Sequence, residues 1–206
     1  MIAALFVEMD GIYSGLPEVE PWDKRRDARV YQGPWPVVAH PPCERWGRYW
    51  GGAPGQKPRL KLGDDDGCFA AALQAVRQFG GVLEHPEASH AWRRFGIVAP
   101  PRKGGWVPAG LLNPGFTCCV EQGAYGHRAR KATWLYAVKT ALPDLQWIAV
   151  GDFVRLDEGF HSSAERAAKT GTRKRISARE CAATPPEFRD LLLSIARTVE
   201  LVMNVA

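Results

Sequence analysis

A strand–helix–strand pattern constrains the fold of this chain more than any other feature of its sequence. Residues 36–39 form a short apolar run, residues 68–79 carry apolar side chains at three- and four-residue spacings, and residues 82–84 form a second short run. The spacing in the middle segment is typical of an amphipathic helix. A helix between two short strands is typical of a parallel sheet with crossover connections. We therefore predict an α/β fold.

The remaining apolar segments extend this pattern along the chain. We predict further strands over residues 3–8, 19–22, 115–122 and 133–138, a short helix over residues 89–95 and a closing helix over residues 185–202. A chain of 206 residues has room for one substantial domain. We therefore expect residues 1–206 to form a single domain, with a mostly parallel sheet and helices on its faces.

The composition argues against several classes of protein. Hydrophobic residues make up 46% of the chain and charged residues 24%, which are ordinary values for a globular domain. No run approaches the roughly 18 apolar residues of a transmembrane helix, and the first residues lack the basic leader of a secretory signal. The five cysteines include no CxxC pair, which favours free thiols in a reducing compartment. We expect a soluble cytoplasmic protein with no membrane partner.

The charge of the chain points to a polyanionic partner. The formal net charge is +5, and lysine and arginine side chains supply most non-specific affinity for nucleic acids. Residues 155–184 combine basic side chains, among them Arg173, Lys174 and Arg175, with Ser and Gly. We predict that this segment is a flexible basic loop that contacts DNA. The alternative is a solvated surface loop without a partner.

A cysteine follows the strand over residues 36–39. That strand ends abruptly at His40-Pro41-Pro42-Cys43, and open α/β sheets bind their ligands at the carboxyl ends of their strands. Cys43 is therefore a candidate nucleophile. The alternative is a small buried structural cysteine, which is a common role for this residue type.

Two more polar clusters follow later strands and are expected to lie near Cys43. They are residues 84–87, which begin with Glu84, and residues 122–131, which are rich in basic side chains. Loops after successive parallel strands share one edge of the sheet, so these clusters should converge. A thiol, a carboxylic acid and a basic cluster suit attack on an electron-poor ring, most simply a pyrimidine. Arg128, Arg130 or Lys131 could lower the pKa of the thiol.

These three clusters resemble a known family. The segments Pro41-Pro42-Cys43, Glu84-His85-Pro86 and residues 122–133 are similar, in order, to three motifs of DNA (cytosine-5)-methyltransferases. The third, which runs from Gln122 through Tyr-Gly-His-Arg-Ala-Arg-Lys to Thr133, also resembles a variant found among bacterial and phage members. The resemblance implies a reduced Rossmann-like sheet of the methyltransferase type.

The resemblance also implies a mechanism and roles for individual residues. Cys43 would add to carbon 6 of a cytosine turned out of the DNA stack, and Glu84 would protonate or hydrogen-bond ring nitrogen 3. Arg130, with Arg128, would support the base and its carbonyl oxygen. Carbon 5 would then attack an electrophile, normally the methyl group of S-adenosylmethionine. The implied substrate-binding residues are Pro42, Gln122 and Lys131, with Arg173, Lys174 and Arg175 contacting DNA.

The chain departs from the family pattern at two places. The glycine-rich cofactor turn after the first strand is absent, which leaves Glu8, Asp10, Asp23 and Asp27 as the candidate residues for binding S-adenosylmethionine. The interval between Thr133 and the closing helix is too short for the usual target-recognition domain. We therefore expect relaxed recognition, a partner protein that supplies it, or a substrate other than duplex DNA.

Three functions remain open from the sequence. The first is an enzyme that modifies carbon 5 of a pyrimidine in DNA, with S-adenosylmethionine or another electrophile and no metal. The second is a methyltransferase-derived DNA-binding or accessory protein without catalysis. The third is a zinc protein, with Glu87 as a proton shuttle, since His-x-x-Cys is an acceptable ligand spacing. Its candidate ligands are His40, Cys43, His85, His90 and Cys118 or Cys119.

Overall fold

A computed structural model describes residues 1–52, 57, 59–154, 163–168 and 176–199. It contains one seven-stranded sheet flanked by helices, so the predicted α/β class is confirmed. The strands are β1 (Ile2–Leu5), β2 (Val19–Trp22), β3 (Val37–Ala39), β4 (Gly81–Pro86), β5 (Val107–Pro108), β6 (Phe116–Glu121) and β7 (Ala132–Val138). The helices are α1 (Cys68–Phe79), α2 (His90–Arg94), α3 (Ser163–Ala168), α4 (Ala178–Ala182) and α5 (Pro186–Arg197), with short 3-10 helices at Ala28–Val30 and Gln122–Tyr125.

The sheet is mixed rather than mostly parallel. Its strand order is β2-β1-β3-β4-β7-β6-β5. The pairs β1–β2, β1–β3 and β3–β4 are parallel, whereas β4–β7, β6–β7 and β5–β6 are antiparallel. The prediction of a mostly parallel sheet is therefore wrong for the second half of the sheet. The reason is the connection between β6 and β7, which is shorter than the dozen or so residues that a parallel crossover needs.

Five of the seven strands nevertheless point the same way. Because β7 is antiparallel to both β4 and β6, strand β6 runs in the direction of β1 to β4. The ends of β1, β2, β3, β4 and β6 therefore lie along one side of the sheet, which we call the carboxyl edge. Strand β7 begins at this same edge.

Helices cover both faces of the sheet, as predicted. Val37 and Ala39 of β3 pack in one buried cluster with Phe69 and Val76 of α1. Val38 points the other way, into a second cluster that contains Phe188 and Leu192 of α5 together with other residues of that helix. This alternation along β3 is the period-two pattern of a strand buried on both faces. The core therefore consists of two layers, one on each side of the sheet.

Gly81 allows β3 and β4 to pair closely. Its φ angle is +118°, and a Cβ atom at this position would lie 1.9 Å from the carbonyl oxygen of Val37. No side chain fits at that distance, so the start of β4 requires glycine. The β3–β4 pairing in turn sets the positions of the residues that follow each strand.

The predicted basic loop is described only in part. Within residues 155–184, the structure describes the short helices α3 and α4 and the residues around α4. Arg173, Lys174 and Arg175 lie outside the described residues. Among the described helices, none is both long and apolar enough to cross a membrane.

Candidate active site

A buried carboxylate marks the centre of the carboxyl edge. Glu84 lies near the end of β4 and is 9% exposed. Its Oε2 atom is 3.0 Å from Nδ1 of His40, which directly follows β3. Its Oε1 atom accepts a hydrogen bond of 3.2 Å from Nε2 of Gln122, which follows β6. Residues that follow β3 and β6 therefore meet at a carboxylate of β4, which is the convergence of the three clusters expected from the sequence.

The orientation of the Gln122 amide follows from its two partners. Its Nε2 atom donates to Glu84 and also to Oγ1 of Thr133, at 2.9 Å. The Thr133 hydroxyl donates to the carbonyl oxygen of Lys131, so the Thr133 oxygen must accept from Gln122. Both partners are acceptors, which fixes the nitrogen of the amide on their side. Gln122 is fully buried, and its Oε1 atom has no hydrogen-bond partner among the residues that the structure describes.

A tyrosine that the sequence analysis missed completes the hydrogen-bond chain. The hydroxyl of Tyr13 lies 2.8 Å from Nε2 of His40, and Tyr13 is 3% exposed. Burial raises the pKa of Tyr13 well above its ordinary value, and the charge of Glu84 raises it further. The phenol therefore keeps its proton at neutral pH. No spacing or motif pointed to Tyr13, which lies in the loop after β1.

The surroundings of Glu84 keep it ionised. Burial by itself would raise its pKa, but the hydrogen bond from His40 and the positive charge nearby, including that of Lys131, outweigh burial. The net effect lowers the pKa of Glu84 to about 2. At neutral pH the side chain is therefore a carboxylate that accepts hydrogen bonds on both oxygens.

The charge of this carboxylate acts on Cys43, whose pKa is raised rather than lowered. Burial is the largest cause, and the negative charge of Glu84 adds to it. The charge of Lys131 lowers the pKa of the thiol but does not offset the other two effects. The expected effect of Lys131 is therefore present, but the expectation of a lowered thiol pKa is wrong because burial and Glu84 outweigh it. Cys43 is a protonated, half-buried thiol at neutral pH.

The turn after Cys43 is fixed to helix α1. The carbonyl oxygen of Cys43 accepts hydrogen bonds from the backbone amides of Trp46 and Gly47, at 3.0 and 2.8 Å. The indole of Trp46 donates to Oδ2 of Asp65 at 2.8 Å, and the same oxygen accepts from the amide of Phe69 in the first turn of α1. Pro42 is exposed beside this turn. The thiol is therefore held on a well-anchored loop.

The basic side chains of residues 122–131 separate into two groups. Lys131 acts on the pKa values of both Cys43 and Glu84, and its ammonium donates to the carbonyl oxygen of Ala183 at 2.8 Å. Arg128 is exposed and forms an ion pair with Glu180 of α4. Arg130 is exposed and lies over the ring of Phe153, 5.8 Å from its centroid. Of these basic side chains, Lys131 therefore acts on the site, whereas Arg128 contacts Glu180 and Arg130 contacts Phe153.

The four candidate cofactor residues lie in the loops after β1 and β2. Glu8 and Asp10 are exposed in the loop after β1, and no helix follows β1 before β2 begins. Asp23 is buried at the end of β2, where its Oδ1 atom accepts from the backbone amides of Arg25 and Arg26. The carboxylate of Asp27 pairs with Arg29. These residues do not fit S-adenosylmethionine in the way that the family binds it, with a helix N-terminus and a free acid after β2.

The candidate zinc ligands do not point toward a common centre. His40 is bonded to Glu84 and Tyr13, whereas Nδ1 of His85 is 2.7 Å from the hydroxyl of Ser89 and its ring stacks on Trp92. His90 is exposed, and Cys118 and Cys119 are buried in β6. Within the described part of the chain, no three His, Cys, Asp or Glu side chains form a group able to hold a metal ion. The zinc interpretation therefore lacks an assembled ligand set, and Glu87 pairs with Arg102 instead.

Comparisons with known proteins returned no match. No family model matches the chain, and neither a curated protein nor a solved structure is significantly similar to it.

Proposed function

We propose that this protein modifies carbon 5 of a pyrimidine base in DNA, most simply cytosine, through covalent addition of Cys43 to carbon 6. The observation that carries the proposal is a Cys43 thiol that follows β3 and lies within the electrostatic influence of a buried, ionised Glu84 at the carboxyl edge. The sheet is then a reduced, Rossmann-like sheet of the methyltransferase type, in which β7 runs against its neighbours. The net charge of +5 favours a DNA partner.

The addition step balances with the groups present. The Cys43 sulfur forms a bond to carbon 6, and the electron pair of the carbon 5–carbon 6 double bond moves through the ring to nitrogen 3. The S–H bond breaks, and its proton passes through the Glu84 carboxylate to nitrogen 3. Glu84 can accept that proton because it is ionised at rest. The product is a neutral enamine whose carbon 5 is nucleophilic.

The raised pKa of Cys43 fits this order of events. A thiol that stays protonated in the free protein is a weak nucleophile toward chance electrophiles. Proton transfer to Glu84 becomes favourable only when a ring nitrogen is placed to receive the proton. The base must leave the stack for this to happen, because its ring face is covered inside a duplex.

Two classes of electrophile could supply the group that is added at carbon 5. S-adenosylmethionine would supply a methyl group, but the described residues do not assemble the family's site for it. We therefore propose an electrophile that is either S-adenosylmethionine bound differently or another one-carbon donor. Mass spectrometry of nucleosides from DNA exposed to the active protein identifies the group by its added mass.

The addition step can be tested without knowing the electrophile. An enamine exchanges its carbon 5 hydrogen with water, so the protein should release deuterium from oligonucleotides that carry 5-deuterated cytosine. We expect release with the wild-type protein, in single-stranded or duplex oligonucleotides, and background release with Cys43→Ala. Cys68→Ala is the matched control, because Cys68 is also partly buried with a raised pKa. Equal release from Cys43→Ala and wild type would contradict the proposal.

A second candidate is a DNA-binding accessory protein without catalysis. The missing helix after β1 favours it, because the chain then lacks the usual place for a cofactor. This function predicts salt-sensitive DNA binding that is unchanged in Cys43→Ala and Glu84→Gln, with no release of deuterium. The exchange assay and a binding titration on the same variants therefore separate the two functions.

A further inference from the structure

The hydrogen bonds around His40 assign its ring proton to Nδ1 and a lone pair to Nε2. Glu84 is ionised and can only accept, so Nδ1 of His40 must carry the hydrogen that lies between them. A neutral imidazole then has an acceptor at Nε2. That acceptor faces the hydroxyl of Tyr13 at 2.8 Å. The chain therefore runs from the Tyr13 hydroxyl through His40 to the carboxylate, with every donor matched to an acceptor.

We propose that His40 is a positioning residue that holds the Glu84 carboxylate for proton transfer, and that Tyr13 fixes the His40 tautomer that does so. Neither residue is among the catalytic residues that the three motifs imply. The catalytic consequence rests on the proposed function, whereas the hydrogen-bond arrangement does not.

Of the two carboxylate oxygens, Oε1 accepts the longer hydrogen bond and is the one that can take up the proton. His40 holds Oε2 at 3.0 Å, and Gln122 holds Oε1 with a longer bond of 3.2 Å while it also bonds to Thr133. Gln122 can therefore give up its contact with Oε1 and keep Thr133. The His40 Nδ1 hydrogen bond persists before and after transfer, because Oε2 stays an acceptor throughout. Without Tyr13, the alternative tautomer would place a lone pair of Nδ1 against Oε2.

Deuterium release at carbon 5 provides the kinetic test. We expect His40→Ala to slow release by about 100-fold, the lower limit for loss of a general acid–base group. His40→Asn should restore most of the rate, because an asparagine amide can donate to Glu84 from the position of Nδ1. Equal rates for His40→Ala and wild type would overturn the inference and leave the Cys43 step intact.

A double-mutant cycle tests the role of Tyr13. Tyr13→Phe should slow release about tenfold in the wild-type background, which corresponds to the loss of one hydrogen bond. It should have no effect in the His40→Asn variant, because an amide has no tautomer to fix. The matched control is Tyr31→Phe, which removes a hydroxyl bonded to the Trp35 carbonyl. An equal loss in both backgrounds would show that the Tyr13 hydroxyl acts independently of His40 and would overturn its assigned role.

Nitrogen-15 spectra of the histidine rings test the arrangement without any substrate. We expect a neutral His40 ring protonated at Nδ1 in the wild type, with its signals assigned from their loss in His40→Asn. Tyr13→Phe should add the Nε2-protonated tautomer. A wild-type ring protonated at Nε2, or at both nitrogens, would overturn the inference. Because this result needs no DNA, it decides the inference even if the wild type releases no deuterium.

Discussion

At the scale of single residues, burial sets the reactivity of one thiol, and two opposite charges adjust it. The carboxylate of Glu84 raises the pKa of Cys43, and the ammonium of Lys131 lowers it. Burial adds to the effect of Glu84, so the thiol is kept protonated. The site therefore restrains its nucleophile until a ligand can take up the proton.

Glu84→Gln and Lys131→Met should move the pKa of Cys43 in opposite directions. Gln removes the negative charge and lowers the pKa of the thiol, whereas Met removes the positive charge and raises it. The rate of alkylation of Cys43 by iodoacetamide, measured against pH and located by peptide mass spectrometry, checks both. Deuterium release should fall by about 100-fold or more in Glu84→Gln. Alkylation curves that coincide with the wild type would contradict this account of the site.

His85 should make the protein sensitive to mild acid. Burial lowers its pKa from 6.5 to about 4, despite the opposing charge of Glu84. Between pH 6.5 and about 4, His85 is therefore protonated in the unfolded chain and neutral in the folded protein. The free energy of unfolding falls as the pH falls through this window. The loss is about 3 kcal/mol for the full shift. Below it, Glu84 contributes a further loss between pH 4.5 and about 2.

His85→Asn should remove the upper of these two windows. Urea unfolding at several pH values should give a free energy of unfolding that changes less between pH 6.5 and 4 than that of the wild type. His90→Asn is the matched control, because His90 is exposed and should keep the wild-type slope. Parallel pH curves for wild type and His85→Asn would show that His85 is protonated in the folded protein.

At the scale of secondary-structure elements, Asp65 joins the loop after β3 to helix α1. Its Oδ2 atom accepts from the Trp46 indole and the Phe69 amide, and its Oδ1 atom accepts from the amide of Gly67. One carboxylate therefore accepts hydrogen bonds from amides at the start of α1 and also holds the turn that follows Cys43.

Asp65→Ala should destabilise the protein by about 2 kcal/mol. The change removes a helix cap and leaves the buried indole nitrogen of Trp46 without its acceptor. Asp64→Ala is the matched control, since Asp64 is an exposed neighbour, and it should change stability by less than about 0.5 kcal/mol. Urea unfolding measures both. Equal losses in the two variants would mean that overall acidity, rather than this contact, supports α1.

Local patterns in the sequence predicted the bounds of helices and strands better than the directions in which the strands run. The bounds of α1 and β2 agree with the prediction, because helical spacing and turn residues are local. The reversal of β7 was missed, although the short connection after β6 held the information. The Tyr13–His40 contact joins residues 27 positions apart, and the Arg128–Glu180 contact joins residues 52 apart. Such pairs depend on how the layers pack, which no local pattern encodes.

At the scale of the whole molecule, the segment from α4 to α5 contacts loops that surround the site, although it lies far from them in the sequence. Arg189 of α5 donates to the carbonyl oxygen of Ile12, beside Tyr13, at 2.8 Å. Lys131 and Arg128 reach the backbone of Ala183 and the side chain of Glu180. The segment from α4 to α5 therefore touches both the loop after β1 and the segment before β7. The position of Tyr13 depends on a helix far along the chain.

Gly81 and Glu84 lie three positions apart on β4 and should respond differently to selection for protein abundance and to selection for base modification. Any side chain at position 81 would collide with the Val37 backbone, so replacements there should lower the amount of protein that a cell accumulates. Replacement of Glu84 by Gln keeps the size of the side chain, so its loss of abundance should be smaller than that at position 81, whereas its loss of chemistry should be complete. A variant library scored separately for abundance and for base modification would thus distinguish scaffold positions from reactive ones along a single strand.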